Sequence, residues 1–117
     1  MLEDDPVISN SQHYRTIFEN QHVRVLEYLD EPGDSTTPHV HPNSVMVTLT
    51  DFRRRLTTGA GEREVAMSAL QAVWLPAQRH AGENIGVTPT HTVFVELKGA
   101  AACKVDDSLL GTADRRD

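Results

Sequence analysis

The chain has 117 residues, with 11 lysines and arginines against 17 aspartates and glutamates, so its formal net charge is −6. That length is typical of one domain that can bury its own core, and the acidic balance argues against nucleic acid or an anionic membrane surface as a partner. No apolar stretch approaches the ~20 residues of a membrane span, and the start of the chain lacks the basic and apolar regions of a signal peptide. We therefore expect a cytoplasmic protein.

The chain is predicted to form a single domain over residues 1–117. Polar termini at 1–12 and 104–117 have little to bury, so we expect them to fray or to dock on a partner subunit. The folded core is predicted at about 13–99.

Within that core, turn-forming clusters interrupt the sequence about every ten residues, which is typical of an all-β sandwich or barrel. In chain order, the predicted strands are 14–18, 22–29, 45–50, 52–58, 63–66, 72–75 and 90–97. The segment 65–72 contains residues that favour a helix, but at eight residues we interpret it as a turn that leads into the strand at 72–75.

The last strand alternates in polarity. Its odd positions (His91, Val93, Val95 and Leu97) share one face, and Thr92, Phe94 and Glu96 share the other. We expect the valines to point into the barrel, which would place His91 at the rim of its cavity. The alternative is a strand-end histidine that hydrogen-bonds to backbone.

Several other residues receive structural interpretations. The basic run 53–55 would alternate between the two faces of a strand, and we interpret it as a solvated strand edge. Trp74 lies in a short apolar strand and is expected in the core. Cys103, the single cysteine, excludes an internal disulfide and is consistent with a reducing compartment. His13 and His22 lack ligand spacing and are interpreted as structural or surface residues.

The strongest candidate for chemistry is the pair His39 and His41. Their spacing on an extended segment puts both imidazoles on one face, and Pro38 and Pro42 restrict the flanking backbone to extended conformations. Two imidazoles that converge on one point make half of a transition-metal site. His80, which follows the next apolar strand, is the candidate third ligand. The alternative is a pair of surface histidines in a polar loop.

These histidines also fall in two short motifs that the sequence shares with a known family. Gly33 is followed by five residues and then by His39-Val40-His41, and Pro76 is followed after three residues by His80. Three more residues lead to Asn84, and a hairpin signal at 59–61 separates the two motifs. This pattern, over about residues 14–99, resembles the cupin superfamily, in particular its small single-domain members of the conserved-barrel type. The resemblance implies an antiparallel jelly-roll, or double-stranded β-helix, barrel.

The sequence departs from the family pattern at positions that bear on the site. The usual glutamate ligand would fall at Val45 or Met46, and neither can bind a metal. Leu70 stands where the second motif opens with glycine, and Gln78 replaces another of its glycines. The resemblance therefore implies a site of three histidines, His39, His41 and His80, which Gln78 or His91 could join.

Two functions follow from the resemblance. One is a metal-dependent enzyme that acts on a small organic molecule by dioxygenase, isomerase or decarboxylase chemistry, with Fe, Zn, Ni, Mn or Cu as the divalent metal. The alternative is a barrel that binds or senses a small molecule without catalysis.

Three further expectations concern single residues and assembly. Asn84 is expected to hold a turn backbone, and Glu83 is a candidate acid–base group or a solvated carboxylate. A homodimer is expected from exposed sheet edges.

Overall fold

The computed structural model describes residues 4–103 of the chain, so the predicted polar terminus 104–117 lies outside the described residues. Among these residues, a short helix α1 (Pro6–Ser9) precedes nine strands. The strands are β1 (Tyr14–Glu19), β2 (Val23–Asp30), β3 (His39–His41), β4 (Ser44–Thr48), β5 (Phe52–Thr58), β6 (Gly61–Met67), β7 (Ala72–Leu75), β8 (Gln78–Asn84) and β9 (Thr90–Leu97). A 3₁₀ helix at Gly99–Ala102 follows them.

The strands form two antiparallel sheets. One has the order β1-β2-β9-β4-β7, and the other has the order β3-β8-β5-β6. Consecutive strands repeatedly join opposite sheets, as in a jelly-roll barrel. The predicted all-β, antiparallel cupin-type barrel is thus confirmed. None of the helices in the described part of the chain has the length and apolar character needed to cross a membrane.

Aromatic residues dominate the buried core. Tyr14, Leu26, Tyr28 and Phe94 form one cluster, and each is 5% exposed or less. All four come from β1, β2 and β9, three adjacent strands of the larger sheet. The core therefore lies on the inner face of that sheet, opposite the strands that carry the three candidate histidines.

The segment before β1 is more closely packed than its polar sequence predicted. The Asp5 side chain caps α1 by accepting a hydrogen bond from the Val7 amide at 3.0 Å. Asn10 is fully buried, and it exchanges hydrogen bonds with the backbone of Thr37 at 2.9 and 3.2 Å. Because Thr37 lies two residues before His39, this polar segment helps to fix the start of β3.

The predicted orientation of β9 was wrong. Thr90, Thr92, Phe94 and Glu96 face inward and are buried, whereas the face with His91 and the valines is only half-buried. Glu96 can face inward because it pairs with Arg24 and His41 inside the barrel. Polarity alone therefore gave the wrong face.

Two other assignments also need correction. Arg54 is only 7% exposed and points inward, although the run 53–55 was interpreted as a solvated edge. Its strand, β5, is not an edge, because it pairs with both β6 and β8. Trp74 was expected in the core, yet it is 43% exposed at the mouth of a cavity. It lies on β7, an outermost strand of the larger sheet.

A candidate three-histidine metal centre

The fold brings His39, His41 and His80 together. The first two lie on β3, and His80 lies on β8 directly opposite His39 in the antiparallel register. Their ring centroids are separated by 4.9, 4.9 and 5.1 Å, which is nearly an equilateral triangle. One nitrogen from each ring can be chosen so that all three lie within 4.8 Å of one another. None of the predicted strands included His80, which lies on β8.

Hydrogen bonds at the outer side of the cluster fix the protonation of each ring. Nδ1 of His39 lies 2.8 Å from the Thr37 carbonyl oxygen, and Nδ1 of His41 lies 2.8 Å from Oε2 of Glu96. Nδ1 of His80 lies 2.7 Å from Oε1 of Gln78, whose amide nitrogen donates to the Pro76 carbonyl and so fixes its orientation. Since each of these oxygens can only accept, each Nδ1 carries the proton.

The three Nε2 atoms are consequently lone-pair acceptors that face one another. The Tyr14 hydroxyl lies 3.2 Å from Nε2 of His39 and 3.2 Å from Nε2 of His41. A single hydroxyl proton satisfies one nitrogen at a time. Within residues 4–103, two of the three Nε2 lone pairs therefore lack a donor, and this is the donor set that a divalent transition metal prefers.

The environment keeps the His39 and His80 rings neutral. Burial, together with the adjacent His41, lowers the pKa of His39 to about 4. Burial likewise lowers the pKa of His80 to about 3, with additional effects from His41 and His39. Burial also raises the pKa of Tyr14 well above its usual value, so that residue stays a phenol. Neutral imidazole is the form that binds metals.

An ionic chain, buried at Glu96 and half-buried at Arg24 and Asp5, lies behind His41. Glu96, with a side chain 3% exposed, accepts from His41 and also pairs with Arg24 at 2.9 Å. Arg24 in turn pairs with Asp5 at 2.8 Å. This chain connects α1 to the histidine cluster through three charged residues, and it fixes the position of the carboxylate that orients His41.

A cavity of about 380 Å³ opens beside the cluster. Its walls are mainly apolar, and they include Met46, Phe52, Leu56, Met67, Trp74 and Phe94. His39, His80 and Tyr14 line the same cavity, and Phe94 stacks on His41 at 4.8 Å between ring centroids. The size and lining are those of a small-molecule pocket.

The remaining predicted residues lie in different places. Gln78 is at the cluster but contacts His80 from the outer side, and His91 points away and pairs with Glu27 at 2.6 Å. Asn84 was expected to hold a turn, and it does so by bonding to the Thr88 carbonyl and the Gly86 amide. Glu83 lies on β8, not in a loop, and it pairs with Arg55 at 2.9 Å.

Positions 45 and 46 supply no oxygen ligand. Met46 lines the cavity, and Val45 pairs in register with Trp74 and Val95. Within residues 4–103, three histidines make up the only cluster of three or more histidine, cysteine or acidic side chains with ligand spacing. This set is consistent with one transition-metal ion bound by three imidazoles, with coordination positions left for other ligands.

Sequence reasoning missed two functional residues. Tyr14 carried no signal beyond its aromatic type at the start of a strand. Glu96 did carry one, because a carboxylate near the end of a largely apolar strand, on the same face as Phe94, requires a buried partner.

No protein-family model matches the chain, and no curated protein is significantly similar to it in sequence. Solved structures do resemble it. A cupin domain from Bordetella pertussis Tohama I is 25% identical with a TM-score of 0.69, and the match covers 74% of this chain and 92% of that one. An uncharacterized double-stranded β-helix protein from Klebsiella pneumoniae subsp. pneumoniae MGH 78578 is 23% identical with a TM-score of 0.60, covering 75% and 77%.

The polyketide cyclase RemF from Streptomyces resistomycificus shares the fold at 16% identity, with a TM-score of 0.56 and coverage of 80% of this chain and 72% of that one. The fold, the two motifs and these neighbours agree with one another. The chain is a small member of the cupin superfamily.

Proposed function

We propose that His39, His41 and His80 bind one divalent transition metal and that the adjacent cavity brings a small organic molecule to it. The observation that carries the proposal is the set of three Nε2 lone pairs that face one another, each fixed by an acceptor at its own Nδ1. Any buried ring needs an acceptor for its N–H group, but rings that only filled a core would not leave their other nitrogens unpaired and close together.

The bound metal would supply Lewis-acid and template chemistry to a substrate oxygen. The protein supplies the surroundings for that chemistry. Glu96 and Thr37 hold two of the rings in one tautomer, and Tyr14 keeps a proton at its hydroxyl beside them. Phe94 covers His41 and excludes water from that side. Dioxygenase, isomerase and decarboxylase reactions all remain compatible with this arrangement.

The test is elemental analysis of protein purified without chelator or affinity metal, beside His39→Ala and His80→Ala. We expect about one metal per chain in the wild type and loss in both variants. His91→Ala is the matched control, because His91 also lies on a strand beside a carboxylate but faces outward. Wild-type protein that stays metal-free after incubation with Fe, Zn, Ni, Mn or Cu would refute the proposal.

The second candidate is a binding barrel without catalysis. The Tyr14 hydroxyl between His39 and His41 favours it, because this contact partly satisfies the cluster without a metal. The absence of a carboxylate among the described residues that line the cavity also favours it, since a carboxylate general base is then lacking. In that case, metal removal would leave ligand affinity unchanged.

We also propose a homodimer that forms through β1. This strand is outermost in the larger sheet, and it exposes Ile17 and Phe18 at 46% and 54%. Free strand edges with apolar side chains pair readily with a second copy. Sedimentation of the wild type and Phe18→Lys tests this proposal, and we expect the substitution to shift the protein to monomer. A wild type that is monomeric at all concentrations would refute it.

A further inference from the structure

The cavity contains a second polar group besides the histidines, and it is built around Arg54. Its guanidinium donates from Nη1 to Asp30 at 2.6 Å and to Thr90 at 3.1 Å, and from Nη2 to Tyr28 at 3.2 Å. The Nε atom of Arg54 has no hydrogen-bond acceptor among residues 4–103. The edge formed by Nε and Nη2 is one of the two edges of an arginine that can bind a carboxylate through parallel hydrogen bonds.

Arg54 lies at the cavity wall, packed closely against Gly82. A Cβ atom at position 82 would lie 2.9 Å from Nη2 and 3.3 Å from Nε of Arg54, so this edge is the part of the guanidinium nearest to the glycine. Both residues line the cavity. Gly82 and His80 share the inner face of β8, roughly 7 Å apart along the strand. The free edge of Arg54 therefore lies within one small molecule's length of the histidine cluster.

A second buried donor in the same cavity has no partner. Thr92 is 1% exposed and lines the cavity, yet its hydroxyl makes no hydrogen bond with the described residues. A buried hydroxyl without a hydrogen-bond partner is destabilising. A ligand with a hydrogen-bond acceptor in the cavity would therefore give a partner to the Thr92 hydroxyl as well as to Nε of Arg54.

The charge of the lining favours an anion. Arg54 and Arg63 line the cavity, and no aspartate or glutamate is among the described lining residues. Asp30 balances Arg54 from outside the cavity, and its oxygens are already occupied by Arg54, Tyr28, Asn84 and the Thr90 amide. Arg63 forms no ion pair with any described residue, so one positive charge is left over. A single negative charge on the ligand would match it.

We propose that the cavity binds an apolar monocarboxylic acid, with its carboxylate held by the Nε/Nη2 edge of Arg54 and the Thr92 hydroxyl and attracted by Arg63. The hydrocarbon body would pack on Phe52, Trp74 and the other apolar wall residues. This inference names the ligand class for the cavity of the proposed function, but its carboxylate subsite consists of residues other than the three histidines. It can therefore be tested on metal-free protein.

The experiment uses the single tryptophan, Trp74, as a reporter at the cavity mouth. Metal-free protein is titrated with phenylacetate, cinnamate and octanoate, and separately with phenylacetamide and acetate, by tryptophan fluorescence and calorimetry. We expect at least one apolar acid to bind. We also expect phenylacetamide, which lacks the charge, and acetate, which lacks the apolar body, to bind about tenfold more weakly or worse than phenylacetate.

Three variants test the assigned residues. Thr92→Val removes only the hydroxyl, and Arg54→Lys keeps the charge beside Asp30 but loses the two-donor edge. We expect both to weaken acid binding by about tenfold, and we expect Arg54→Lys to leave phenylacetamide almost unaffected. Arg63→Gln should reduce acid binding in a salt-dependent way. Arg53→Gln is the matched control, because Arg53 precedes Arg54 on β5 but faces outward and pairs with Glu64.

The proposal is overturned if none of the acids binds, if phenylacetate and phenylacetamide bind equally, or if Thr92→Val and Arg54→Lys both bind like the wild type. Metal content is measured on separate samples. Failure of the three-histidine site and failure of the carboxylate subsite are therefore distinguishable.

Discussion

Glu96 and His41 lie 55 positions apart in the chain, yet Oε2 of Glu96 accepts a hydrogen bond from Nδ1 of His41 at 2.8 Å. The pair is almost completely buried, and the same carboxylate binds Arg24. The family's usual glutamate is missing at positions 45 and 46. The carboxylate nearest to the cluster thus orients a histidine from behind and does not face the three Nε2 atoms.

Glu96→Gln should therefore weaken metal binding without removing a ligand. A carboxamide is a poorer acceptor for the His41 ring and does not balance Arg24, and the loss of such a supporting carboxylate costs about 10–100-fold in metal affinity. Competition titration with a chromophoric zinc chelator measures the change. Glu83→Gln is the control, because Glu83 forms an exposed pair with Arg55. Equal zinc affinity in Glu96→Gln and the wild type would contradict the role assigned to Glu96.

Tyr14→Phe should separate the metal-free state from the metal-bound state. The phenyl ring keeps the contacts to Tyr28 and Phe94, but the hydrogen bond to the imidazole nitrogens is lost. We expect the metal-free variant to lose about 1 kcal/mol of unfolding free energy. If zinc takes over those lone pairs, the gain in Tm on adding zinc should be larger in the variant than in the wild type. An equal or smaller gain would argue against the metal site.

The unfolding free energy of the metal-free protein should fall in mild acid. The folded pKa values of His39 and His80, about 4 and about 3, are lower than the ordinary value of 6.5. Below pH 6.5 these two histidines therefore become protonated in the unfolded chain but stay neutral in the folded chain. The contribution of the two neutral rings to the unfolding free energy is fully present above pH 6.5, and it is lost as the pH falls toward 4. The loss is on the order of a few kcal/mol.

Urea denaturation between neutral pH and pH 5 measures that loss. His80→Gln should show a shallower decline than the wild type, because one of the two titrating rings is gone. His22→Gln, at an exposed position, is the control. A wild type whose unfolding free energy does not change across this range would contradict the prediction.

Gly82→Ala should be destabilising because the new methyl group would lie 2.9 Å from Nη2 of Arg54. The guanidinium is held by Asp30 and Tyr28 and cannot move away freely. We expect a loss of about 1–3 kcal/mol in unfolding free energy by chemical denaturation. Gly59→Ala is the matched control, since nothing lies within 4 Å of its added Cβ. Similar effects at both positions would show that Arg54 is not confined against β8.

Leu70→Gly should stabilise the protein. Leu70 has a φ of +64°, in the left-handed region, and its side chain is exposed, so little packing would be lost. Left-handed backbone costs a residue with a side chain about 1–2 kcal/mol. Glycine avoids this cost, but it loses more conformational entropy on folding, and that loss offsets part of the gain. We expect a net gain of about 0.5–1 kcal/mol, measured by thermal and urea unfolding. Ala69→Gly, at the preceding residue, should instead destabilise the protein.

The Leu70 conformation also shows how motif and backbone are related. The family pattern has glycine at this position, and the turn between β6 and β7 keeps the left-handed backbone although the glycine is gone. The Leu70 amide donates to the Thr48 carbonyl at 2.7 Å, so hydrogen bonding in the fold holds the strained residue.

The sequence by itself determined the all-β class, the two-motif pattern and the three histidines of the candidate site. These features depend on local rules, namely two-residue periodicity in strands, turn chemistry, and spacing that puts His39 and His41 on one face. The family resemblance assigned Asn84 to a turn, and its hydrogen bonds to the Thr88 carbonyl and the Gly86 amide agree with that role.

Only the tertiary structure decided which face of each strand became the interior. Polarity favoured the valine face of β9, but the buried partners of Glu96, Arg54 and Asp30 turned the polar faces inward. Such partners come from strands distant in the chain, so no local pattern contains them. For the same reason, the sequence could not predict that the Tyr14 hydroxyl lies at the histidines or that one edge of Arg54 is unpaired. Both placements depend on how the two sheets pack on each other.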